Sequence, residues 1–268
     1  MPGEAPTLRV RLAELASAEV RERLARGPVL LLPMGSLEEQ GPHAPMGDFL
    51  LADRLATLMA ERAASAGIEA LVLPPIPFGG ADWFGSVPGG VSLRQTTLAA
   101  LLEDVLSCLA RHGSDRVLIV NGHSGNATTI DLVTRGIALA GRRLAPCLHL
   151  WRSLAARWEA LGGDRATLGH GADPLWSVAL ALFPELCRPD LMRGPEPPPP
   201  VLGLPVTGFG TLDAFGLDVT VPIELDRIAP SGVVGGDPAR GSAELGARAV
   251  AWIVEAGARL IAHLAAQR

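Results

Sequence analysis

Val29-Leu30-Leu31-Leu32 runs through Pro33-Met34 into Gly35-Ser36-Leu37-Glu38-Glu39-Gln40-Gly41-Pro42-His43-Ala44-Pro45-Met46-Gly47-Asp48. The apolar run is short and unbroken, the pattern of a strand covered on both faces. The polar run behind it places Glu38, Gln40, His43 and Asp48 in one loop at that strand's carboxyl end. Open α/β sheets keep their ligand sites there. Carboxylate and imidazole donors this close together are the raw material of a metal site. The plainer alternative is a polar turn that ends in a helix cap.

Working outward, similar apolar runs recur at 70–73, 116–120 and 147–151. Helical patterns fill the intervals at 48–66, 96–112 and 127–140, with Asp48 and Thr96 as expected caps. Strands alternating with helices predict an α/β fold, a three-layer α/β/α sandwich around a mostly parallel central sheet. A further helix is expected at 173–183, ended by Pro184, and a long amphipathic one at 237–266. The segment 189–222 holds Pro195-Glu196-Pro197-Pro198-Pro199-Pro200 and many glycines, so extended backbone is expected. It reads as an excursion within a single domain spanning residues 1–268, serving as a lid or an oligomer contact.

Composition narrows the function. With 268 residues and 48% hydrophobic side chains, the chain is long enough to bury a sizeable core. Net charge is −5 and there is no basic stripe, which argues against nucleic acid as partner. No unbroken apolar run suits a membrane span, and Met1-Pro2-Gly3-Glu4-Ala5 lacks a secretory pattern, so a cytoplasmic protein is expected. Cys108, Cys147 and Cys187 are odd in number and widely spaced, which gives neither a disulfide framework nor a cysteine zinc site. Lys and Tyr are both absent, so a Schiff-base lysine and a catalytic tyrosine are excluded.

Two more polar loops follow the first. Asn121-Gly122-His123-Ser124-Gly125-Asn126 comes after the run at 116–120, and Gly169-His170-Gly171-Ala172-Asp173 precedes the helix at 173–183. Glycines flanking His123 between a strand and a helix should project its imidazole above the sheet edge. Ser124 shares that loop, but a nucleophile elbow needs glycine two residues on either side of the serine. Asn126 stands where the second glycine belongs. Gly79-Gly80-Ala81-Asp82-Trp83-Phe84-Gly85-Ser86 should line the pocket, with Trp83 stacking on a planar group or packing on another subunit.

These pieces, in this order, are similar to the creatininase family of metal-dependent amidohydrolases. The resemblance rests on Pro33-Met34-Gly35-Ser36-Leu37-Glu38, the Gly41-Pro42-His43 turn and Asp48-Phe49-Leu50-Leu51-Ala52. It continues through Pro88-Gly89-Gly90-Val91-Ser92-Leu93, Asn121–Asn126 and Gly232-Val233-Val234-Gly235-Gly236-Asp237-Pro238 to Ala243-Glu244-Leu245-Gly246. It implies a homo-oligomer, commonly a hexamer, acting on a small molecule. One or two divalent ions (Zn, Mn or Fe) and a metal-activated water that opens a cyclic amide or cleaves a related non-peptide C–N bond are also implied. By resemblance Glu38 and His123 match ligands of a first metal, and Asp48 matches a bridging carboxylate if the loop is one residue shorter than usual. His170 matches the histidine near the substrate. Ser124 and Trp176 join Trp83 as expected substrate contacts, and Asp173 joins His170 as a catalytic candidate.

The departures are specific. Gln40 stands where the family has a histidine ligand of the second metal, Gly125 where creatininase has a glutamate but other relatives also have glycine, and Leu175 where a glutamate is common. An uncharged amide oxygen is a poorer ligand than imidazole. The expectation is therefore one tightly held metal, or a rearranged pair that uses Asp173 or His43. The alternative reading is a divergent member that performs a different reaction or only binds a ligand.

Overall fold

The computed structural model describes residues 9–80, 83–142 and 144–267. The amino-terminal pentapeptide and Ala81-Asp82 of the Trp83 loop lie outside the described residues. In chain order the elements begin with α1 (Ser17–Leu24), β1 (Val29–Met34), α2 (Asp48–Ser65), β2 (Ala70–Val72) and α3 (Gln95–Arg111). They continue with β3 (Val117–Asn121), α4 (Ala127–Leu139), β4 (Cys147–His149), α5 (Leu150–Ala155), β5 (Gly169–His170) and α6 (Leu175–Leu182). The chain closes with β6 (Val206–Gly208), β7 (Thr211–Ala214), β8 (Leu217–Thr220), α7 (Leu225–Ile228), β9 (Val234–Gly235) and α8 (Ala243–Ala266).

The central sheet has four parallel strands in the order β2-β1-β3-β4. Alternation along each strand feeds two cores. Val29, Leu31, Leu118 and Val120 face α2, α6 and α8, while Leu30, Leu32, Met34 and Ile119 face α3 and α4. Burying each such leucine contributes about 2 kcal/mol. Helices on both faces and an all-parallel sheet make the α/β/α sandwich.

Two expected caps are corrected. Asp48 is the first residue of α2 and Gly47 its N-cap, without a side-chain cap bond, because the Asp48 carboxylate is engaged elsewhere. Thr96 lies inside α3, whose N-cap is Arg94. The run at 147–151 splits, since β4 ends at His149 and Leu150 opens α5. The final helix starts later than the pattern suggests. Asp237 caps a 3-10 turn at Pro238–Arg240, Gly241 follows, and Ser242 caps α8 by accepting a hydrogen bond from the Leu245 amide.

Helix α8 is long and apolar enough to cross a membrane by composition alone. It buries Leu245, Ala249, Ile253 and Ile261 in the core, and turns Glu244, Arg248, Glu255 and Arg259 outward. The excursion at 189–222 is irregular through its proline run and then forms an antiparallel β6-β7-β8 sheet that the sequence did not announce.

Candidate active site

The loop after β1 is closed on itself. The Glu38 amide donates to the Met46 carbonyl at 2.9 Å, and Leu37 bridges to Gly47 and Val91. This returns the chain so that Glu38 and Asp48 meet at the carboxyl edge of the sheet. Gly35 makes the approach possible, because a Cβ there would overlap the backbone of Phe49 and reach the Asp48 carboxylate. Asp48 Oδ1 accepts from the Ser36 amide at 2.5 Å.

The loop after β3 is built by its two asparagines. Asn121 Nδ2 donates to the His123 carbonyl at 2.7 Å, and its Oδ1 accepts from the His123 amide at 3.2 Å. Asn126 donates to the Gly35 carbonyl at 3.1 Å and accepts from the Gly80 amide at 2.9 Å. It therefore ties the loops after β1 and β3 to the start of the Trp83 loop. Fixed this way, His123 Nδ1 lies 2.9 Å from Asp48 Oδ2, and Nε2 lies 3.8 Å from Glu38 Oε2. All three side chains are buried, at 2–4% exposure.

Burial opposes a charge on His123, but Asp48 and Glu38 outweigh it and raise the ring to about 9. Burial also raises Asp48, against the pull of His123 and the Ser36 amide. Among the described residues no three His, Cys, Asp or Glu side chains form a ready coordination shell, since Asp48 and His123 hold each other directly. The donor set nonetheless fits a divalent cation. Two buried carboxyl groups face one imidazole, and carboxylate oxygen with imidazole nitrogen is divalent-cation chemistry.

These groups line a cavity of about 400 Å³. The structure brings Glu38, Gln40, Asp48, Trp83, His123, Ser124, His170 and Asp173 to its wall. His170 Nε2 donates to the Glu39 carbonyl at 2.7 Å, and its ring stacks on Phe84 at 4.4 Å. Burial in that stack pushes it down to about 4. Its imidazole is thus neutral near pH 7, with Nδ1 left as the acceptor. Asp173 Oδ1 is taken by Ser177, through the hydroxyl at 2.5 Å and the amide at 3.2 Å. It fastens the first turn of α6.

Two expected site residues fall elsewhere. Trp176, expected to touch substrate, is fully buried in the core beneath α6. His43, expected as a metal ligand, is buried edge-on against Trp176 at 4.5 Å between ring centres. Neither lies on the cavity wall, because the turn at Gly41 sends His43 under the loop rather than over the sheet edge. Gln40 Nε2 lies 3.4 Å from Asp48 Oδ2, so its amide offers hydrogens to that carboxylate.

The sequence reading missed Phe209, Trp151 and Arg152, which also line the cavity. Phe209 comes from the Pro/Gly-rich excursion and sits 5.8 Å from Trp83 and 6.2 Å from His170. The Trp151 indole donates to the Gly122 carbonyl.

A family model described as creatinine amidohydrolase matches residues 13–261. The chain belongs to the creatininase family. It is 34% identical over 233 residues to creatinine amidohydrolase of Pseudomonas putida, covering 78% of this chain and 82% of that one. It is 29% identical over 254 residues to the mycofactocin precursor peptide peptidase of Mycobacterium ulcerans, covering 91% and 88%. Among solved structures it is similar to manganese creatininase, with TM-score 0.73, 27% identity and coverage of 95% and 98%. A Zn-Zn glutamate-to-glutamine mutant of creatininase gives TM-score 0.72 at 28% identity, covering 95% and 98%. The same kind of mutant complexed with creatine gives 0.73 at 28%, covering 97% and 100%. A peptidase among these creatininase relatives removes the ground for restricting the family chemistry to non-peptide C–N bonds.

Proposed function

We propose that this chain is a metal-dependent hydrolase that cleaves an amide C–N bond of a small molecule or short peptide with water. The observation that carries this reading is the meeting of buried Glu38, Asp48 and His123 at the carboxyl edge of a parallel sheet, on the wall of a cavity. Relatives solved in manganese and zinc forms, and one solved with creatine, support it.

Glu38, Asp48 and His123 would hold the ion. When bound, a divalent cation supplies Lewis acidity toward a carbonyl oxygen and makes a water more acidic. The chain's own residues do the rest. Ser36 fixes the rotamer of Asp48. Neutral His170, locked by Glu39 and Phe84, presents an accepting nitrogen that orients a proton-bearing group such as water or the amide N–H. Trp83 and Phe209 flank the space with two aromatic surfaces suited to a planar amide. Excluding water behind them strengthens every polar contact inside.

We read the centre as holding one ion. Gln40 turns amide donors rather than a lone pair toward Asp48, and His43 packs on Trp176 away from the cavity wall. The same departures favour the second reading, in which the chain binds a ligand or runs a different reaction.

Metal analysis together with ring opening of creatinine and other cyclic amides, and cleavage of short peptides, separates the readings. About one equivalent of Mn or Zn with turnover of any of these supports the hydrolase. No metal after metal-rich expression, with no turnover, supports the alternative.

A further inference from the structure

We propose that Arg152 is a specificity residue that selects an amide substrate carrying a carboxylate. This rests on the hydrolase reading above and names the substrate class for the same cavity. Arg152 lies on α5, just past the carboxyl end of β4. It lines the main cavity and also a smaller one of about 230 Å³ next to it. His123, Ser124 and Trp151 are the other residues common to both walls.

The two cavities differ in charge. The main one holds Glu38, Asp48 and Asp173. The smaller one has no acidic residue among its lining, and its titratable members are His123, His149 and Arg152. Arg152 is exposed and makes no ion pair or side-chain hydrogen bond with any described residue. His149 shares this recess, and its imidazole is held below the usual range by burial and then by the Arg152 charge. A guanidinium without a carboxylate beside an acid-free recess is set up for a bidentate carboxylate from outside the chain. A substrate whose amide reaches Glu38, Asp48 and His123 would pass its acid group over Ser124 toward Arg152. A neutral analogue would leave that end unpaired, which is how a polar subsite discriminates.

The test uses the full chain loaded with Mn. Matched pairs are offered as substrates: glycyl-leucine against glycyl-leucinamide for a peptide terminus, and hydantoin-5-acetic acid against its carboxamide for an acidic small molecule. Binding of 4-oxopentanoate and its methyl ester, which have no C–N bond to cleave, is measured by calorimetry. The expected result is an acid preference of about tenfold or more in at least one pair and in the ketone probes. Arg152→Ala should bring the ratio to about one, chiefly through KM, and Arg152→Lys should keep part of it. An acid preference that survives Arg152→Ala, or no preference in the parent chain, overturns the assignment. Should no amide be hydrolysed while the ketone acid still binds through Arg152, the hydrolase reading fails and the acid subsite stands. Hydrolysis with no acid preference is the reverse. The exposed Arg152 side chain makes no hydrogen bond or ion pair with any described residue, so its truncation should leave the fold intact, which a thermal melt of the variant checks.

Discussion

At the scale of single residues, the site depends on which groups hold which protons. Gln40 cannot lend charge to a second cation, so Gln40→His tests whether one residue separates a one-ion from a two-ion centre. We expect the stoichiometry to stay near one equivalent, because Gly125 and Leu175 still supply no carboxylate; two equivalents by elemental analysis would contradict this. His170 gives a pH signature. Its folded value is lowered from 6.5 to about 4, so between those values the unfolded chain takes up a proton that the folded chain refuses. The neutral ring's contribution to stability is full above about pH 6.5 and is lost as pH falls toward 4. His170→Gln should therefore lose less Tm than the parent chain between pH 6.5 and 4.5 in a thermal melt series. The sequence made the convergence of Glu38, Asp48, His123 and His170 on one cavity legible, because each sits in a polar loop next to a strand or helix. The asparagines were not, since Asn121 and Asn126 act through backbone groups of loops distant in sequence. Trp176 and His43 were misplaced for the same reason. An aromatic ring and an imidazole next to a site can face the core as well as the cavity, and only packing decides between them.

At the scale of elements, the strands were readable because full burial leaves an unbroken apolar run, and β1 and β3 lie where such runs are. The helices α2 and α3 match the expected spans to within a residue at each end. The β6-β7-β8 sheet was hidden because its strands are three or four residues long, and β8 is exposed along its whole length. Burial leaves no periodic mark on such a segment. Phe209, at the turn between β6 and β7, could not be placed on the cavity without that sheet. Helix packing makes a sharper demand. Gly246 on α8 crosses α6 so closely that a Cβ would overlap the Ser177 carbonyl, and Ala181 Cβ stands 3.0 Å away. Because backbone rather than a flexible side chain is in the way, the helices must separate. Gly246→Ala should destabilise the fold by about 1–3 kcal/mol, as overpacking does, read from the denaturant midpoint at unchanged m-value. Ser177 also binds Asp173, so the same variant should loosen the wall that carries this carboxylate.

At the scale of the whole molecule, the proposed ligands come from three places: the loop after β1, the first residue of α2 and the loop after β3. These are linked through the sheet and through Asn126, but unfolding scatters them completely. An ion held by Glu38, Asp48 and His123 thus binds only the folded chain and stabilises it by mass action. At a hundredfold excess over Kd the gain is about 2.7 kcal/mol. For a chain of this size that corresponds to about 5–10 °C in Tm. Chelation followed by re-addition of Mn or Zn should move Tm down and back up by that amount. His123→Ala should remove the shift, and it should also lower the Tm of the metal-free chain. Removing the ring leaves Asp48 and Glu38 buried without the cation that faces them, and breaking such a buried pair is destabilising. A His123→Ala chain that keeps the full metal-induced shift would show that the ion is held elsewhere. A parent chain with no shift at any concentration of either metal would remove the basis for placing a cation in this cavity.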